Sequence, residues 1–196
     1  MIQIFVNGES LEFTVEHEKT IGELLGEVET FCNKNGHTVF KIIADGKEIP
    51  AEQLDAFFAK PISGKETLRL FTQSGDEVTA HIRELGSAFK ESAAALQDVS
   101  VKMQTGDDAA VLILIESVSQ QMKTLLDFLR LEIISNIGVN TKLGDSSILE
   151  EQKKITGFLK EIADAFADND IITVSDLCEY ELAPLLENLG AGLAAL

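Results

Sequence analysis

In IQIFVNGESLEFTV, Ile2, Ile4 and Val6 occupy every second position before Asn7-Gly8, and Leu11, Phe13 and Val15 do so after it. Period two on both sides of an Asn-Gly pair predicts a β-hairpin, because strand side chains alternate between faces and Asn-Gly accepts the positive φ of a tight turn. Thr20 followed by Glu23 is a capping-box signature, and Ile21, Leu24, Leu25, Val28 and Phe31 then recur at helical spacing up to Asn35-Gly36. HTVFKIIADGKEI predicts a strand, a tight Asp45-Gly46 turn and a short returning strand, AEQLDAFF a brief helical turn, and ETLRLFT a last strand.

From Ser74 the period changes to 3.6. Ser74 and Glu77 offer a capping box, and Ile82, Leu85, Phe89, Leu96, Val99 and Met103 form a heptad-like seam with Ser92 at the skipped inward position. Thr105-Gly106-Asp107 ends that helix and opens a second. There Val111, Ile115, Val118, Met122, Leu125, Leu129 and Ile133 make one stripe, widened by Leu112, Leu126 and Ile137. Such breadth predicts a central helix of about 31 residues, nearly 46 Å long at about 1.5 Å per residue. GVNTKLGDSS reads as a loop; Ser147 with Glu150 starts a third helix carrying Leu149, Ile155, Phe158, Leu159, Ile162 and Phe166, and ADND breaks it. A fourth starts between Asp170 and Thr173 with Val174, Leu177, Leu182, Leu185, Leu186 and Leu189, and Pro184 kinks it or ends its first part. Short connections favour antiparallel neighbours. The expected fold class is α+β: a sheet domain over residues 1–73, then an antiparallel four-helix, all-α domain over 76–196.

The order of the first half, with MIQIFVNGESLEFTVEHEKTIGELL, FKIIADGKEI and ETLRLF, resembles ubiquitin and its β-grasp relatives over residues 1–73. Conjugated and sulfur-carrying members of that family act through a flexible tail ending in Gly-Gly. Here the matching stretch is FTQSGDEV, with one glycine, a helix cap and more than a hundred further residues. The resemblance therefore implies a fixed domain that presents a side rather than a tag that donates its end. In the helical half, MQTGDDAAVLILIESVSQQMKTLLDFL and VSDLCEYELAPLLENL are similar to segments of uncharacterised helical proteins of bacteria, for some of which a link to flagellar assembly is suspected.

Alternation assigns the two faces of the sheet. If Ile4, Val6, Ile42, Leu68 and Leu70 face the helix, then Phe5, Ile43, Arg69 and Phe71 face away from it. Similar positions in ubiquitin form its recognition surface, although the first hairpin here is shorter and lacks that loop's leucine. Two phenylalanines and an isoleucine make an apolar patch that calls for cover, from the helical domain or from an outside partner. Tyr180, the one tyrosine, stands between Glu179 and Glu181, and is expected to pack at a helix crossing with its hydroxyl hydrogen-bonded.

Composition narrows the partners. A net charge of −17, from 33 acidic and 16 basic side chains, repels phosphate backbones and anionic lipid, so no nucleic acid and no membrane is expected. The N-terminus lacks the basic-then-apolar order of a leader, and no segment is a membrane span, so a cytoplasmic location is expected. Cys32 and Cys178, 146 positions apart, read as small buried hydrophobes in a reducing compartment.

Candidate chemistry thins out on inspection. Asp168, Asp170, Asp176 and Glu179 sit at calcium-loop positions one, three, nine and twelve, but Ile172 and Thr173 occupy positions five and six, where a ligand and a glycine are needed. SGKET lacks the earlier glycine of a phosphate loop, Ala59 standing there, and leads into a strand. His17, His37 and His81 have no metal-ligand spacing and read as surface or loop residues. Close carboxylate pairs such as Glu16 and Glu18, Glu150 and Glu151, or Asp164 and Asp168 are expected by chance among 33.

The reading is a non-enzymatic interaction or adaptor protein without cofactor or metal. Its partners are proteins, itself as a homodimer included, contacted through Phe5, Ile43, Arg69, Phe71 and Tyr180. Self-pairing would use the seam of the first long helix or the broad apolar surface of the second. The alternative is a cytoplasmic export or assembly chaperone, flagella-related or not, holding a client helix in a groove of the bundle.

Overall fold

The computed structural model describes residues 2–14 and 17–196, with backbone alone at Ala51 and Ile133. The expectations placed on Val15, on Glu16 and on the Ile133 side chain lie outside the described residues. The chain is mixed α+β and divides into two compact units, Met1–Gly75 and Asp76–Leu196.

The first unit is a five-stranded mixed sheet with one long helix. Its strands are β1 (Gln3–Val6), β2 (Glu9–Leu11), β3 (His37–Ala44), β4 (Lys47–Glu48) and β5 (Thr67–Ser74), in the spatial order β2-β1-β5-β3-β4. β1 runs parallel to β5, and the other pairs are antiparallel. Asn7 (φ 50°) with Gly8 (φ 90°), and Asp45 (φ 50°) with Gly46 (φ 81°), make the two tight hairpin turns. The Asn7 side chain also ties the first turn to β5: its Oδ1 accepts from the Thr72 N–H at 2.9 Å and its Nδ2 donates to Thr72 Oγ1 at 3.0 Å.

α1 (Ile21–Lys34) starts at Thr20, whose side chain accepts from the Glu23 N–H, while Glu23 reaches back to the Lys19 N–H at 2.6 Å. Ile21, Leu24, Leu25 and Val28 bury against Ile4, Ile42, Leu68 and Leu70. Phe31, expected to continue the stripe, is 57% exposed, and Cys32 takes the inward place. Position 32 lies four residues beyond Val28 and so continues its face of the helix. A 3-10 turn (Ala51–Gln53) and α2 (Leu54–Phe58) close the unit, with Phe57 buried.

Seven helices are described in the second unit, where four were expected. The first run is α3 (Gly75–Leu96) and α4 (Val99–Gln104), interrupted at Gln97-Asp98. Most of its seam is inward: Ile82, Phe89, Leu96 and Val99 are fully buried, Leu85 is half-buried, and buried Ser92 bonds the Gln121 amide at 3.0 and 3.1 Å. The second run is α5 (Asp108–Leu129) and the single turn α6 (Glu132–Ser135). α5 has 22 residues, which makes it about 33 Å long. The expectation of a longer, central helix is overturned: the chain turns at Arg130-Leu131, left-handed Asn136 (φ 58°) ends α6, and Leu112 and Ile113 are exposed.

The expected loop before the third helix contains a small hairpin, β6 (Lys142–Leu143) with β7 (Ser146–Ser147). It delivers Ser147 into a full capping box with Glu150 at the start of α7 (Ile148–Ala167), and Lys142 adds an ion pair to Glu150 at 3.5 Å. The fourth run begins as α8 (Ile171–Asp176), widens into a π-helical turn (Leu177–Leu182) and resumes as α9 (Ala183–Ala194). Pro184 accounts for the widening: in a regular α-helix its ring would strike the carbonyl of Tyr180, four residues earlier.

Candidate functional site

Strand pairing lines up the outward residues of the first unit. Phe5 pairs with Ser10 and with Arg69, Arg69 with Ile43, and Ile43 with Glu48, so one row crosses all five strands. Phe71 and Lys41 form the next row. Ile4, Ile42, Leu68 and Leu70 are buried on the helix side, whereas Phe5, Ile43 and Phe71 are half-buried and Arg69 is exposed.

This face is not bare hydrocarbon. The Arg69 guanidinium lies 5.1 Å from the centre of the Phe5 ring, and the Lys41 ammonium 5.9 Å from that of Phe71. At exposed sites such contacts are worth about 0.5–1 kcal/mol each. Lys41 also pairs with Glu48 at 2.7 Å. Phe40 meets Phe71 edge to face, with centroids 6.5 Å apart, because the register shifts between Val39 and Lys41. That irregularity leaves Phe40 47% exposed beside the row, a member of the patch that alternation alone did not single out. An aromatic surface carrying Arg69 and the Lys41–Glu48 ion pair thus sits on a strongly acidic chain.

Tyr180 lies in the other unit and is 70% exposed. The expectation that it packs at a helix crossing is overturned, because the π-helical turn carries it outward. The inward work there falls to Glu179, whose carboxylate accepts the Ser100 N–H at 2.8 Å and so caps α4, where Asp98 makes no side-chain cap.

Two sequence features that resemble ligand loops are occupied by the chain's own groups. In SGKET, the N–H groups of Ser63, Gly64 and Lys65 donate to Glu66 at 2.7–3.0 Å. Burial pushes that carboxyl upward, but the hydrogen bonds from Ser63 and its neighbours outweigh it and hold the group down at about 2. In the calcium-like stretch, Asp170 is spent capping α8 through the Thr173 N–H and hydroxyl, which keeps its carboxyl below the usual range.

Among the described residues, no three His, Cys, Asp or Glu side chains are placed to share a metal ion. His17 is exposed and His37 heads β3. His81, expected at the surface, is instead half-buried on α3 and stacked on Phe128 at 5.1 Å. Both cysteines are free and buried; burial, then Glu179, pushes the Cys178 thiol up to about 12, and burial with Glu29 raises Cys32. None of the described helices is long and apolar enough to cross a membrane.

Residues 2–74 match the TP0873 N-terminal domain, and residues 67–191 match a domain of unknown function, DUF8042, so both matches include β5. An uncharacterized protein of Treponema pallidum (strain Nichols) is 33% identical over 192 residues, covering 98% of this chain and 96% of that one. No solved structure matches the chain. With most of its length matched by DUF8042 and nearly all of it aligned to that relative, the chain belongs to the DUF8042 family.

Proposed function

We propose that the chain is a non-enzymatic, cytoplasmic adaptor, with a ubiquitin-like β-grasp domain at the N-terminus and an antiparallel helical bundle after it. The β-grasp reading is supported by the sheet order, with β5 central and parallel to β1, and by the single helix that packs on one side. The observation that carries the function is the row Phe5, Arg69, Ile43 with Phe71 beside it: aromatic anchors and an arginine gathered on one sheet face are the residue types that dominate protein interfaces. The partner's matching surface is apolar with a carboxylate for Arg69, whose five donors suit two-point binding. The unit works from its side, since β5 runs to Ser74 and α3 begins at Gly75.

A photo-crosslinking amino acid placed at Ile43 of the full chain in cells tests this, with the same group at exposed Glu52 as control. A defined protein adduct at position 43, absent at 52 and lost with Arg69→Glu or Phe71→Glu, is the expected result. Equal labelling at the two positions, or adducts indifferent to both substitutions, would reject the face.

A further inference from the structure

In the seam of the first long helix, Ile82, Phe89, Leu96 and Val99 are fully buried within their own unit, which leaves little of its apolar surface for a second copy. The outer face of α5 is in the opposite condition. Leu112 and Ile113 are 52% and 67% exposed, and between Ala109 and Met122 the only charged residue is Glu116. Any second copy arrives with its own charge of −17, so a charge-poor surface is where two copies meet with least repulsion.

The two charges nearest the centre of this surface are self-complementary, while exposed Asp127 beyond them is paired within its own chain with Arg130 at 3.3 Å. Glu116 and Lys123 are both exposed, stand seven residues apart on the same side of the helix, and form no ion pair among the described residues. Uncharged Ser119 and Gln120 lie midway between them. A twofold axis there would bring Glu116 of each copy against Lys123 of the other, because opposite charges at equal distances from a midpoint exchange places under that operation.

We propose that α5 is a homodimer interface in which two copies cross antiparallel at Ser119-Gln120, joined by two reciprocal Glu116 to Lys123 ion pairs and flanked by Leu112 and Ile113. The hollow beside Ile113, lined by Leu85, Gln120 and Thr124, receives side chains of the second copy. This pairing uses the helical unit alone and does not depend on the sheet face.

Sedimentation equilibrium of the full chain from micromolar to millimolar concentration, with circular dichroism of each variant, is the test. The wild-type chain is expected to dimerise. Glu116→Lys and Lys123→Glu each turn two attractions into two repulsions and weaken the dimer about tenfold. The double exchange restores it. Mixing the two single variants yields a heterodimer, since one then carries lysine at both positions and the other glutamate. A wild-type monomer at every concentration overturns the proposal. A dimer untouched by either reversal overturns it too, while leaving the crosslinking result at Ile43 as it stood.

Discussion

Gly86 and Gly190 touch backbone to backbone where α3 meets α9. A methyl built on Gly86 would stand 2.7 Å from the Gly190 carbonyl oxygen, and one on Gly190 would stand 2.5 Å from the Gly86 carbonyl oxygen. Backbone atoms on both sides leave no flexible side chain to yield. Alanine improves helix propensity by about 1 kcal/mol, but overpacking costs about 1–3 kcal/mol or more. Gly86→Ala and Gly190→Ala are therefore expected to destabilise the helical unit in urea titrations. Gly157→Ala, on the exposed side of α7 with nothing within 4 Å, should stabilise it by about 1 kcal/mol. Stabilisation by alanine at Gly86 or Gly190 would refute the close contact.

The two sides of β5 are expected to answer differently to truncation. Leu68 is fully buried under α1, so Leu68→Ala should cost about 2–5 kcal/mol. Neighbouring Arg69 points outward, and Arg69→Ala should cost about 1 kcal/mol or less. Thermal melts of the two variants compare them directly, and similar losses would mean that the strand's faces are wrongly assigned.

Glu150 gives the helical unit a pH dependence. The Ser147 N–H, the Ser147 hydroxyl and then Lys142 hold its carboxyl at about 2, below the ordinary 4.5. A depressed folded-state value contributes stability that is present above pH 4.5 and is lost as pH falls toward 2. The stability gap between wild type and Glu150→Gln should thus be widest at neutral pH and close over that acid range. Denaturant titrations at pH 7, 4 and 2.5 measure it; a gap that widens on acidification would contradict the capping role.

Thiol labelling should be silent in the native state. Cys178 is buried and its thiol is raised to about 12, so almost no thiolate exists at pH 8. In a Cys32→Ser background a disulfide reagent is expected to react only after unfolding, which makes Cys178 a reporter of the helical core. Fast native labelling of Cys178 would disprove its burial.

Adjacent residues in the π-helical turn should separate cleanly. Glu179→Ala removes the cap on Ser100 and is expected to cost about 1 kcal/mol, whereas exposed Tyr180→Ala should fall within about 0.5 kcal/mol of wild type. Melting curves of the pair decide it.

Sequence pattern reached the sheet well, because its signals are local. Asn7-Gly8 and Asp45-Gly46 announce their turns, and alternation alone put Phe5, Ile43, Arg69 and Phe71 on one side. It did not reach the irregularity at Val39 and Lys41, which depends on how β3 meets a strand thirty residues away and which adds Phe40 to the patch. In the helical half the inward stripes were legible as periodicity. The interruptions at Gln97-Asp98 and Arg130-Leu131 carry neither glycine nor proline, so nothing local marks them. Pro184 was visible, but its effect, a widened turn that swings Tyr180 into solvent, follows from a clash four residues upstream. The cation over each phenylalanine ring was also hidden, since it rests on cross-strand register.

The central place of β5 has a consequence for synthesis on the ribosome. Both hairpins can close as soon as they emerge, yet neither has its inner neighbour until Thr67–Ser74 has left the exit tunnel and slid between them. A nascent chain that has emerged only as far as residue 66 would hold two unjoined ribbons with open edges, and the emergence of a single eight-residue segment converts them into one sheet.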